Sequence, residues 1–420
     1  MSTLESVIES IEQGEVNEGL SALKELRSNC NHDTLLEVAQ LYNELGFVEE
    51  SIDVMEELIA FYPDVNELKI YAAELYVEID RDEEALKLIG TISEDDDEYL
   101  PAMLLSADLY ERQGLAEVAE QKLLAAKRHE PNEPIVTFGL GEFYLSQGNF
   151  PRSIVHYQEL IENGIKEVNG ISIELRIAEA LSGSGAFEEA LEYYKSGIKE
   201  ETNPDALYGY GLTATRIDEN KKAIQAFNRL KDLDPQYTTL YPLLAKAHEK
   251  EGFVKEAMET YLEGIRLDEF NEELYIQAGK LAIRINDLEK GEELLKHALS
   301  LNPVNTDATL TLMNIYQTAE SFADLIELGT EIERFGDLDH EANWRMAQSY
   351  RELEDDEQAL KRYEIAYNGL KDRVDFLEDY GTYMLETGKR AEAKRLYNQA
   401  LQIDPSLVQL EEELLRLEDL

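Results

Sequence analysis

Twelve times along this chain a turn residue returns, at a spacing that is almost always 34: Gly14, Gly46, Asp80, Gly114, Gly148, Gly185, Asp218, Gly252, Asn286, Glu320, Glu354 and Gly388. Most are residue types that tolerate the left-handed backbone needed to stop one helix and reverse into the next. Two ladders of small residues keep step with the turns. One reads Ala39, Ala73, Ala107, Gly141, Ala178, Gly211, Ala245, Gly279, Met313, Ala347 and Gly381; the other reads Ser51, Ala85, Ala119, Ser153, Ala190, Ala223, Ala257, Gly291, Leu325, Ala359 and Ala393. Small side chains facing each other across a helix pair let the pair pack closely. One hairpin of this length cannot stand alone, because ordering it costs on the order of 50 kcal/mol at roughly 1.5 kcal/mol per residue. Stacked pairs bury a continuous core, so the pattern predicts an all-α, quasi-one-dimensional array.

Aromatic and proline positions complete the unit. Tyr42, Tyr76, Tyr110, Tyr144, Tyr316 and Tyr350 stand late in first helices; Tyr157, Tyr194, Phe227, Tyr261, Tyr363 and Tyr397 stand in second helices; Pro63, Pro131, Pro235, Pro303 and Pro405 close units. With these residues the chain resembles the tetratricopeptide repeat (TPR) family, and more narrowly the all-repeat cytosolic TPR proteins of Gram-positive bacteria. The resemblance implies a right-handed superhelical solenoid of about 12 helix-turn-helix units plus a C-terminal capping helix. It specifies a scaffold and not an activity.

Residues 1–31 read as a degenerate N-terminal repeat, 32–405 as a continuous array, and 406–420 as the capping helix, with one apolar stripe and one acidic face. The rhythm breaks twice. A longer loop is expected near 163–170, and Met313 with Leu325 places bulk at both small positions of one repeat. Residues 306–339 therefore read either as a joint where curvature changes or as a drifted repeat that has repacked.

The formal charge of −50 argues against nucleic acid as partner and favours basic partners kinetically. Acidity is concentrated early: residues 1–100 hold 27 acids against 5 bases, whereas 201–250 hold 7 of each. A lone cysteine, Cys30, excludes an intrachain disulfide. The N-terminus lacks the basic and apolar regions of a signal peptide, and no apolar run reaches the ~20 residues of a membrane helix. A cytosolic monomer is expected.

Catalytic constellations are missing. None of the six histidines forms a His-Glu-x-x-His pair, and Gly183-Ser184-Gly185 lacks the spacing and the preceding strand of a nucleophile elbow. The run Glu94–Glu98 has no turn glycine at the position a calcium loop requires. A non-enzyme without cofactor or metal is expected.

By resemblance to TPR proteins, first helices line the groove in which partner segments dock. An apolar line there runs from Leu36 to Trp344 through Tyr208, and it serves either to pack neighbouring units or to meet a partner. Beside it the charge changes sign: Glu74, Asp108, Glu142 and Glu179 early, then Lys246 and Lys280, with Arg216, Lys250 and Arg284 one turn further on. Lys246/Lys250 and Lys280/Arg284 are like charges four apart, mildly unfavourable in a helix. Two readings stand: pairing with acids such as Glu249 and Glu251, or reception of an acidic partner segment. The five cations do not match the family's carboxylate clamp, whose alternating lysine and asparagine are missing. The expected function is a scaffold or adaptor with protein or peptide partners, bringing acidic segments to repeats 7–9 (Arg216, Lys246, Lys250, Lys280, Arg284, Tyr208, Trp344) and basic segments to the N-terminal half. A peptide-sensing regulator acting through a separate effector is the alternative.

Overall fold

The computed structural model describes residues 4–198 and 203–418. The expected continuity of the array across 199–202 falls outside the described residues, as do the outermost positions of both predicted end caps. Among the described residues there are 25 helices, α1–α25, and one two-stranded hairpin. They form two compact units, 1–201 and 202–420. Each is a stack of antiparallel helix pairs.

All twelve ladder turns adopt positive φ, between 55° and 87°. In every one, the N–H following the left-handed residue donates to the carbonyl five residues back, at 2.8–3.0 Å. This is the Schellman closure, which satisfies carbonyls that a helix end otherwise leaves bare. Glu320 and Glu354 adopt it too, at φ 55° and 59°. The geometry of the turn overrides the preference of the residue.

Both ladders of small residues are buried throughout. Where glycine occupies them, the approach is close: a Cβ on Gly141 would lie 2.4 Å from the Tyr157 ring, and one on Gly381 equally close to Tyr397. The exception is the pair α19 (Thr306–Thr318) and α20 (Phe322–Ile332). Met313 and Leu325 are fully buried there, and this hairpin packs least extensively of the twelve. Close approach has moved one turn along, to Gly329, where a Cβ would lie 2.3 Å from Met346 Sδ and 3.2 Å from Met313 Cε.

The extra residues near 163–170 are not a plain loop. Glu167–Val168 pairs antiparallel with Ile171–Ser172 around Asn169 and Gly170, both at positive φ (50° and 77°). Asn-Gly is the favoured two-residue hairpin turn. At the C-terminus α25 (Val408–Glu418) lays Leu410, Leu414 and Leu417 onto the core of the last repeats. At the other end α1 (Leu4–Glu12) and α2 (Val16–Asn29) bury Val7 and Leu23.

Candidate partner-binding surfaces

The cations of the second unit sit on α13 (Pro204–Arg216), α15 (Leu240–Lys250) and α17 (Glu272–Arg284), which repeat one face at unit spacing. Three are engaged with an acid of an adjoining repeat: Lys250 with Asp218, Lys280 with Asp307, Arg284 with Glu249. Pairing with Glu249 and Glu251 thus holds for Arg284 alone; Glu251 lies 3.9 Å from Lys221 instead. Arg216 and Lys246 are exposed and make no ion pair among the described residues. Together with Lys250 and Thr215 they line a notch of about 240 Å³. Asn220, which opens α14 (Asn220–Leu233), also lines it and is only 6 % exposed. Its Nδ2 donates to the Asp218 carbonyl at 3.1 Å, while its Oδ1 has no partner. The notch therefore offers donors for an anion, while the Asn220 amide oxygen is buried behind it.

Tyr208 is half-buried, its ring 5.3 Å from Tyr237 and 6.2 Å from Phe227. Trp344 is 8 % exposed; its indole N–H donates to Asp379 at 2.6 Å, its edge meets Phe376, and Arg373 covers its face. No residue of the apolar line from Leu36 to Trp344 is fully exposed, so packing between units occupies most of that surface.

In the first unit the acidic line divides. Glu142 on α9 (Pro134–Ser146) and Glu179 on α11 (Ile173–Ser184) are bridged by Arg176, at 3.0 and 2.8 Å. Glu142 also accepts from Tyr157, whose phenol is pushed far up by burial and then by that carboxylate. Glu74 on α5 (Asn66–Glu78) and Asp108 on α7 (Tyr99–Arg112) are exposed and make no ion pair among the described residues. Partial burial, then the neighbouring Glu78, raises the Glu74 carboxyl above its ordinary value. A cation brought to Glu74 would relieve that.

Among the described residues no group of three or more His, Cys, Asp and Glu is placed to hold a metal, and no helix is long and apolar enough to cross a membrane.

Comparison with known proteins agrees with this architecture. The chain is 40% identical, over 100% of its own length and 99% of the relative's, to the TPR repeat-containing protein YpiA of Bacillus subtilis. The chain belongs to the YpiA-like tetratricopeptide repeat family. Family models for YpiA-like repeats match residues 112–165 and, for the C-terminal repeats, 341–406; general tetratricopeptide repeat models match 175–238 and 272–305. A DnaJ homolog, subfamily C member 7, of Mus musculus is 29% identical over 36% of this chain and 34% of its own. The solved C-terminal part of a TPR repeat-containing protein from Cytophaga hutchinsonii aligns with a TM-score of 0.50 at 18% identity, covering 57% of this chain and 97% of that one. It shares the fold.

The YpiA-like C-terminal block holds two polar clusters that the sequence pattern did not indicate. Asp379 accepts from Trp344, from Tyr363 at 2.7 Å and from Gln348 and Arg351 at 3.1 and 3.2 Å. On α22 (Asp356–Leu370), Arg362 is buried, doubly bonded to Glu333 and donating to Asn343 at 2.9 Å. The Arg362 guanidinium holds the Glu333 carboxyl below its ordinary value. A third unforeseen feature recurs along this YpiA-like chain. Arg112–Asp80, Arg152–Glu120, Lys127–Glu159, Lys231–Glu263, Lys250–Asp218 and Arg373–Glu341 all pair at a separation of 32 residues. Charge correlation at the repeat length less two is the sequence signal that would have found them.

Proposed function

We propose that this chain is a non-catalytic cytoplasmic adaptor, acting as a monomer, whose second unit receives an acidic segment of a partner on the face carrying Arg216, Lys246, Lys250, Lys280 and Arg284. Its first unit offers Glu74 and Asp108 to a basic segment. The TPR architecture is the general ground for a protein–protein interaction scaffold; the notch is the specific ground. Two exposed cations without ion partners among the described residues line it in a chain of net charge −50. Elsewhere on that face the cations are already neutralised by their neighbours. A carboxylate entering the notch gains Arg216, Lys246 and a share of Lys250.

The test is binding of a labelled Asp/Glu-rich peptide to wild type and to Arg216→Glu/Lys246→Glu, titrated with salt. Affinity is expected to fall about tenfold or more, equivalent to 1.4 kcal/mol or more. Circular dichroism confirms that the variant folds, and pull-down from lysate with the same pair identifies the natural partner. Equal peptide binding by both forms would sink the assignment.

A further inference from the structure

A second surface belongs to different helices. The α19–α20 hairpin packs less extensively than the others, and a groove of about 520 Å³ lies open between α20 and α18 (Leu288–Leu301). That volume lies within the range of sites that enclose a ligand, roughly 300–1,000 Å³. Leu299, Pro303, Leu328 and Ile332 make an apolar floor, and Phe335, 62 % exposed, stands at its end where the chain leaves α20. Asp324, Glu327 and Glu331 line it at positions i, i+3 and i+7 of α20, which places them on one helix face. None of the three makes an ion pair among the described residues. The one cation in the lining, Lys296, is held by Glu292 at 2.7 Å, and that contact and the Tyr316 hydroxyl raise its ammonium above its ordinary value. The rim therefore keeps an uncompensated negative charge beside an apolar floor.

We infer that the α18–α20 groove docks a segment of a partner protein that presents apolar anchor side chains flanked by lysine or arginine. The floor has room for more than one anchor, and the rim repels an acidic flank while attracting a basic one. This surface lies on second helices, so it is separate from the cationic notch of the first helices, and one partner can occupy each.

The probe is a labelled Leu/Lys amphipathic peptide of about 16 residues, roughly four helical turns, read by fluorescence anisotropy with the full chain in about 150 mM salt, where the screening length is about 8 Å. A Leu/Glu peptide of the same apolar content is the counterpart. The Leu/Lys peptide is expected to bind. Its affinity should fall about tenfold with Phe335→Ser, and likewise with Asp324→Asn/Glu327→Gln/Glu331→Gln. A control variant, Glu94→Gln/Asp95→Asn/Asp97→Asn, removes as much charge elsewhere and should bind as wild type does. Equal loss in the control, or none in Phe335→Ser, would mean general attraction to an acidic chain and would overturn the proposal. So would a dimer of the chain alone, seen by sedimentation and lost in the groove variants, since the occupant would then be a second copy.

Discussion

At the scale of single residues, the turns show which demands of the fold are absolute. Every unit closes through a left-handed residue, and at Glu320 and Glu354 a side chain bears the steric cost of that conformation. Replacing Glu320 or Glu354 by glycine should stabilise the chain by about 1 kcal/mol each, the typical left-handed penalty of an L-residue. A raised urea midpoint with unchanged slope would show it; a lowered midpoint would mean the glutamates contribute more than their backbone costs. The turn ladder was legible because it recurs, and Glu320 and Glu354 were legible only through their register. The ion partner of Lys250 was legible only through charge correlation between repeats, and that of Lys280, Asp307, was not legible at all, since it stands 27 residues away and outside the 32-residue series.

At the scale of elements, α20, α21 (His340–Glu352) and α22 are joined by one buried cation. Arg362 ties Glu333 at the end of α20 to Asn343 on α21, so a single guanidinium on α22 links three helices. Arg362→Met leaves the Asn343 Oδ1 unsatisfied in a buried place, at a cost of about 1–3 kcal/mol, and removes an ion pair whose acid, Glu333, is exposed and stays hydrated. The cost depends on pH. Because the Glu333 carboxyl is held below its ordinary value in the folded chain, its contribution is present above the ordinary carboxylate range and is lost as pH falls through the folded value. Melting of wild type and Arg362→Met should therefore differ most at neutral pH and draw closer in acid, leaving the share owed to Asn343; a gap independent of pH would assign the loss to Asn343 and packing alone. The helices and their order were legible from periodicity. The β-hairpin at 167–172 was not, since strands of two residues carry no alternation, although Asn169-Gly170 is itself a hairpin signal. Nor was the compensation at Gly329, because the small-residue ladder was followed at its usual position, one turn earlier.

At the scale of the whole molecule, acids outnumber bases in both units. Residues 1–201 carry 44 acids against 14 bases, and 202–420 carry 45 against 25, so both units repel themselves. The ion pairs between repeats are mostly exposed, and such pairs contribute about 0–1 kcal/mol each. Raising salt from about 10 to 150 mM shortens the screening length from about 30 to 8 Å, and the thermal midpoint should rise as self-repulsion is screened. A falling midpoint would show instead that the pairs spaced 32 apart outweigh the repulsion. Repetition also governs how such a chain can change over time. Most of its units close their own helix pair through interchangeable small residues, so a 34-residue cassette carries that packing with it when it is lost, doubled or exchanged. The unit at 306–339 is different: Gly329 is shaped to the Met346 thioether of the next unit and to its own Met313. Such a fit binds the unit to its successor, as Gly183, where a Cβ would lie 2.5 Å from the Phe150 ring, binds its own unit to the one before, so at these junctions shuffling breaks a matched pair.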